Sequence, residues 1–125
     1  MSNSFQPNHF SWSELMTTSP EQATEFYSGL FGWQFDVMDM GGDNYYVASQ
    51  DGEKIAGIMA KPHQIIAPGW GQYVTVNDIQ ATAEQVEALG GKLLTPPTDI
   101  PGVGKFIVFQ DPQGAPLSAI QYLEQ

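Results

Sequence analysis

The sequence contains no cysteine. It therefore offers no disulfide framework, no thiolate metal site and no thiol nucleophile, and a reducing, cytoplasmic setting is the default expectation. Basic residues are scarce: four Lys+Arg stand against fourteen Asp+Glu, a formal net charge of −10. A surface that negative repels phosphate backbones and anionic lipid, which argues against nucleic acid and membrane as partners. The plain consequence of the acidity is a well-solvated surface. No run approaches the roughly 18 consecutive apolar residues of a membrane span. Met1 to His9 lacks the basic and apolar regions of a signal peptide. A glycine-rich phosphate loop, a G-x-S-x-G elbow and a basic-aromatic patch are all missing, which removes phosphate-loop and serine-elbow chemistry.

What remains is a chain of 125 residues, 42% hydrophobic, enough to build the core of one domain of ordinary size. Two segments read as helices. Ser19-Pro20-Glu21-Gln22 supplies an N-cap serine, a proline at the first helical position and a glutamine at N3. Ala23, Phe26, Tyr27, Leu30 and Phe31 follow as one apolar stripe, and Gly32 can take the left-handed conformation that ends it. The second helix is expected to start at Asn77, with Gln80 three residues on. Ile79, Ala83, Val86 and Leu89 form its buried face, and Gly90-Gly91 ends it.

The rest reads as strands and turns. Strands are expected at residues 10–16, 33–38, 44–49 and 53–59, then at 70–76, 92–95, 105–110 and 116–122. Gly41-Gly42-Asp43, Asp51-Gly52 and Asp111-Pro112-Gln113-Gly114 are turn signals. The order is βαβββ, given twice. An offset of 59 residues places Leu15 on Val74, Glu25 on Glu84, Leu30 on Leu89 and Gly32 on Gly91, which together with the repeated order indicates an internal duplication. The expectation is an α+β single domain over residues 1–125. Module one covers about 10–60, a linker with Pro62 and Pro68 covers 61–69, and module two covers about 70–123. Two such units would pair their helix-free faces, giving a curved, partly closed mixed sheet around a cleft with the helices outside.

The doubled βαβββ pattern, the segment Ala23 to Trp33 (ATEFYSGLFGW) and the turn Asp111-Pro112-Gln113-Gly114 resemble the vicinal oxygen chelate superfamily. That group includes glyoxalase I, extradiol dioxygenases and bleomycin-resistance proteins. The likeness runs from about Phe10 to Tyr122, and the stretch WSELMTTSPEQATEFY is most similar to small bacterial glyoxalase-like proteins. The resemblance implies a homodimer. It also implies a metal site, since metal-binding members use a His, Gln or Glu on the first strand of each module and a Glu or His on its last. Here those four positions fall on Trp12, Gly71, Gly57 and Ser118. None supplies the imidazole or carboxylate lone pairs that a divalent cation needs, so no metal and no cofactor are expected. His9 and His63 lie outside these positions, and His63 reads as a linker residue.

Alternation along the strands puts Trp12, Glu14 and Met16 on the face of the first position. Gly71, Tyr73 and Thr75 share the matching face of the second module, and Pro116, Ser118, Ile120 and Tyr122 share that of the last strand. The expected ligand-binding residues are Trp12, Glu14, Met16, Gly71, Tyr73, Ser118 and Ile120, a surface suited to an apolar or aromatic small molecule with a polar handle. Glu14 is the one acid on these faces. It is either a general base or an anchor for a cationic group, or else it is hydrogen-bonded to Tyr73 or reaches solvent at the rim. Trp12 is either a stacking wall or core filling. Tyr45 and Tyr46 point to opposite faces, so only one can join the site. Residues Thr95 to Gly104 read as a rigid proline-held connector, with a lid as the alternative. Three functions fit: a metal-independent small-molecule binding protein; a lyase or isomerase of the same fold, using Glu14 or a metal; and a dimeric interaction module whose cleft is filled by its own side chains.

Overall fold

The computed structural model describes residues 6–39, 44–61 and 67–123. His63, Pro62 and the turn Gly41-Gly42-Asp43 lie outside the described residues. Eight strands and two helices follow in the order β1 (Phe10–Thr17), α1 (Pro20–Phe31), β2 (Gln34–Asp39), β3 (Asn44–Gln50), β4 (Glu53–Ala60), β5 (Gly69–Thr75), α2 (Ile79–Ala88), β6 (Lys92–Ile100), β7 (Gly104–Gln110) and β8 (Pro116–Tyr122). The fold is α+β and the βαβββ order occurs twice. Among the described residues two compact units result, one within residues 12–71 and the other formed by residues 6–11 and 72–123.

In the first unit the strands lie in the order β2-β3-β4-β1. β1 runs parallel to β4, while β2-β3 and β3-β4 are antiparallel hairpins. The connection between the parallel pair runs through α1, β2 and β3, long enough for the crossover. Helix α1 starts where the sequence says it should. The Ser19 hydroxyl accepts from the Gln22 N–H at 3.3 Å, Pro20 opens the first turn, and Gly32 ends it at φ 78°. Its stripe is wider than the sheet can cover, however. Ala23 and Tyr27 pack on the buried Leu15, Tyr46 and Ile58. Phe26, Leu30 and Phe31, in the same apolar stripe, are more than half exposed.

The second unit repeats the plan in the order β5-β8-β7-β6. β5 is parallel to β8, and β7 is antiparallel to both β8 and β6. Helix α2 lays Ile79, Ala83 and Val86 on Ile107 and Ala119. Fully burying an isoleucine such as Ile107 contributes about 1.5–3 kcal/mol. Beyond shifts of a residue or so at strand ends, three expectations are corrected. Asp78, not Asn77, caps α2: its carboxylate accepts from the Ala81 N–H at 3.0 Å. Asn77 is left as connector because the Val76 N–H still bonds the Ile120 carbonyl at 2.9 Å, in register with the sheet. Leu89 is the C-cap and is 73% exposed, so it is not part of the buried face.

The third correction concerns residues 95–104, which are neither lid nor bare connector. β6 continues through Pro96 and Pro97 to Ile100 and pairs with β7, with register slips at Leu93/Thr95 and Thr95/Thr98. Proline has no N–H for a ladder, but β6 is the outer strand of its unit, and the slips absorb the unpaired positions. A short turn at Gly102 (φ 77°) then returns the chain to β7. The expected turn at Asp111 is present: its carboxylate accepts from the N–H groups of Gln113 at 3.0 Å and Ala115 at 2.9 Å.

Candidate functional site

The register within each unit fixes which residues face away from its helix. In the first, Leu15 lies beside Ile58, and Ile58 beside Tyr46; all three belong to the core under α1. Their neighbours Glu14, Gly57 and Val47 therefore turn to the opposite face. Trp12 and Met16 share that face with Glu14, and Tyr45 shares it with Val47. In the second unit Val74, Ala119 and Ile107 mark the helix side, while Tyr73, Ser118 and Val108 turn away, followed by Thr75, Ile120 and Phe106. The expected site residues thus lie on the helix-free faces, as the alternation requires. The pairing of Glu14 with Gly57 and of Tyr73 with Ser118 shows that Gly57 and Ser118 are equivalent positions.

The first unit's face is organised around a residue that alternation alone did not single out. Tyr45 reaches across to β1 and β4. Its hydroxyl accepts from Trp12 Nε1 at 2.9 Å and donates to Glu14 Oε2 at 2.8 Å. Gly57 makes this possible. A Cβ there would land on the Tyr45 hydroxyl and on the ring, with Cε2 only 2.7 Å away. The space beside Gly57 is therefore filled by a phenol. Glu14 is 7% exposed, so it does not reach solvent at a rim, and Tyr45 is one of its hydrogen-bond partners. Tyr46, on the opposite face, is core, as the alternation of the two tyrosines demands. Trp12 Nε1 is engaged by Tyr45, while its ring is half-buried and so still presents a surface. The clue to Tyr45 was in the sequence: a glycine at a strand position that needs no turn marks a close approach by something else.

The second unit builds the same geometry from different chemistry. Phe106 stands to Ser118 as Tyr45 stands to Gly57, and Tyr73 stands where Glu14 does. Phe106 and Tyr73 meet edge to face, ring centroids 6.4 Å apart. A hydrogen-bonded acid and phenol in one half thus correspond to a pair of rings in the other. Tyr73 and Ile120 are buried, as is Thr75. Near the end of β8, the Tyr122 hydroxyl shares a hydrogen bond with Ser11 at 3.1 Å. Burial pushes the Tyr122 phenol above its ordinary value of 10.0, with the Ser11 hydrogen bond opposing.

The four positions where the resemblance would put metal ligands carry an indole, two glycines and a neutral hydroxyl, and that donor set does not fit a divalent cation. Among the described residues no three His, Asp or Glu side chains come together as a metal cluster. A separate groove of about 430 Å³ lies on the helix side of the first unit, between α1 and the start of β5. Its walls include Leu15, Gln22, Phe26, Tyr27 and Trp70, and Trp70 Nε1 donates to the Tyr27 hydroxyl at 3.2 Å. It contains none of the expected site residues, so the helix-free faces remain the candidate.

Comparison with known proteins identifies the family. The Glyoxalase/Bleomycin resistance protein/Dioxygenase superfamily matches residues 6–118. The chain is 37% identical over 111 residues to CFP32 of Mycobacterium tuberculosis, a protein whose name places it with the glyoxylases, covering 88% of this chain and 42% of that protein. It is 32% identical over 126 residues to the anthracycline biosynthesis protein DauV of a Streptomyces species, covering 89% and 46%. The chain thus spans less than half the length of these curated relatives. Among solved structures it resembles methylmalonyl-CoA epimerase from Mycobacterium tuberculosis, with a TM-score of 0.64 at 14% identity, covering 93% of this chain and 89% of that one. At that identity the likeness concerns the fold.

Proposed function

Because the chain belongs to the glyoxalase/bleomycin resistance protein/dioxygenase superfamily, we propose that it is a metal-independent binding protein for a small apolar or aromatic molecule, held against a helix-free sheet face. The observation that carries this reading is the phenol of Tyr45 seated over Gly57 and bonded to Trp12 and Glu14. A side chain from within the fold fills the space beside a position where a metal ligand would stand. Tyr73, Phe106 and Ile120 supply apolar and aromatic area on the second unit's face, and Trp12 and Met16 do so on the first unit's. The relative involved in anthracycline biosynthesis is consistent with a flat aromatic ligand. The same reading includes a homodimer and a cytoplasmic setting; no helix among the described residues is long and apolar enough to cross a membrane.

Elemental analysis of protein purified without chelators tests the metal half of this reading: stoichiometric Ni, Zn, Mn or Fe would overturn it. A thermal-shift screen of aromatic compounds tests the binding half, and a flat response across planar and monocyclic aromatics would count against it. The buried Glu14 carboxylate favours a second reading, a lyase or isomerase with Glu14 as general base. Any turnover should then collapse on Glu14→Gln, and an unchanged rate would remove that reading.

A further inference from the structure

We infer that two copies of this chain associate through the outer strand of the first unit, β2 pairing antiparallel with β2 of the second copy about Val37. This deepens the homodimer in the reading above and rests on it. β2 is the last strand of its sheet: β3 runs along one side, and no described strand lies along the other. Proteins usually blunt such an edge with proline, lysine or a bulge, because edge N–H and C=O groups invite another strand. The duplication supplies a comparison within this chain. The outer strand of the second unit is β6, and the 59-residue offset sets its Pro96 and Pro97 against Val37 and Met38. β6 also slips register twice against β7. β2 has neither device: from Gln34 to Asp39 it holds no proline, lysine or arginine, and it pairs with β3 without a slip. It carries instead two exposed apolar side chains, Val37 at 58% and Met38 at 44%, on opposite faces of the strand. A strand apolar on both faces suits the interior of a sheet.

The strand is also complementary to itself. Phe35 packs against the core under α1, so residues 35, 37 and 39 point to the helix side and 34, 36 and 38 to the other. A twofold axis perpendicular to the sheet makes the two strands antiparallel and keeps like face with like. Opposed residues must then share a face, so the axis passes through a residue. Within Gln34–Asp39 only centres at Asp36 and Val37 give five residues a partner. The first sets Asp36 against Asp36 of the second copy, which like-charge repulsion opposes. The second sets Val37 against Val37, Asp36 against Met38 and Phe35 against Asp39, so no acid meets an acid. With a net charge of −10 on each copy, added salt should tighten the pair. A ladder this short lies at the small end of specific interfaces, which fits a dissociation constant on the order of micromolar.

Sedimentation equilibrium of the whole chain, over about 5–200 μM to bracket that constant, is expected to show monomer and dimer, with more dimer at moderate than at low salt. Val37→Lys should weaken the dimer about tenfold, because it sets two ammonium groups across the axis. It also lowers the net charge, so general repulsion cannot account for such a loss. Disulfide trapping reads the register. The chain has no cysteine, so Val37→Cys supplies its one thiol, and directly opposed Cβ atoms come within reach of a disulfide. Oxidation should join two copies of Val37→Cys at least about tenfold faster than two copies of Met38→Cys, since the residue opposite Met38 is Asp36. Circular dichroism establishes folding, and if Val37→Lys is unfolded, trapping decides, cysteine being close to valine in size. A chain that stays monomeric throughout would overturn this inference and the homodimer together. A dimer indifferent to folded Val37→Lys, or trapping no faster at Val37→Cys than at Met38→Cys, would overturn this inference alone and leave a homodimer formed elsewhere.

Discussion

Gly57→Ala tests the arrangement at its narrowest point. The added methyl would coincide with the Tyr45 hydroxyl and ring edge, so either the tyrosine leaves or the strands part. If it leaves, two hydrogen bonds go with it. The one to Glu14 is charge-assisted and contributes about 1.5–3 kcal/mol; the one from Trp12 contributes about 1 kcal/mol. Removing a glycine from a strand returns roughly 0.5–1 kcal/mol. The net loss is about 2–3 kcal/mol. For a domain of 125 residues this lowers the melting temperature by roughly 10 °C. Parting the strands instead costs about 1–3 kcal/mol by overpacking, so the two routes give similar totals. A double-mutant cycle distinguishes both from a general intolerance of alanine. In a Tyr45→Ala background the space is vacant, and Gly57→Ala should become neutral or stabilising. Urea unfolding of the four proteins measures the coupling, expected at about 2 kcal/mol or more. An equal cost in the two backgrounds, or no cost in either, would refute the reasoning.

Other perturbations probe features away from this face. Ser19→Ala removes the cap of α1 and should cost about 1 kcal/mol in chemical denaturation, with Ser19→Asp restoring it. For Tyr122 the folded-state pKa lies above the unfolded value, so the folded protein holds this proton more tightly. Its contribution is complete below pH 10 and is lost as pH rises through the folded pKa. Tyr122→Phe should therefore flatten the alkaline fall in stability, and phenolate absorbance in the wild type should show one tyrosine titrating late.

The fold was legible because each element carries its own local signal. Ser19, Pro20 and Gly32 bracket α1, Asp111 and Gly114 make the last turn, and strand alternation sorts core from site along β1, β5 and β8. Where the reading failed, a neighbour decided. Nothing in Asn77-Asp78 says which will cap; the ladder bond of Val76 does. Pro96 and Pro97 look like a break, and only the outer place of β6 lets them sit in a strand. The faces on which the candidate residues stand were legible, but their bonding was not. Trp12, Glu14, Gly57 and Ser118 fall where the alternation put them, yet what Glu14 bonds to depends on a long side chain two strands away. Two residues before Val47 and Val108 a ring (Tyr45, Phe106) reaches back over the sheet, and no one-dimensional pattern records that reach.

The duplication gives a sharper test, because the same position is closed to a metal ligand in the two halves for different physical reasons. At Gly57 the room is taken, whereas at Ser118 a side chain is already accommodated and merely lacks charge and basicity. Introducing a carboxylate should thus have unequal consequences. Ser118→Glu enlarges a half-buried side chain and carries mainly a desolvation cost. Gly57→Glu must in addition expel Tyr45 and break its bonds to Trp12 and Glu14, and it sets a second carboxylate beside the first, since Glu14 and Gly57 are direct strand partners. The difference should be about 3 kcal/mol or more in unfolding free energy, with Gly57→Glu the worse. Tyr45→Ala should recover much of that deficit and leave Ser118→Glu unaffected. If instead the two substitutions cost the same, or Tyr45→Ala gives Gly57→Glu no relief, then the phenol is not what closes the position, and the account of this face built on it falls.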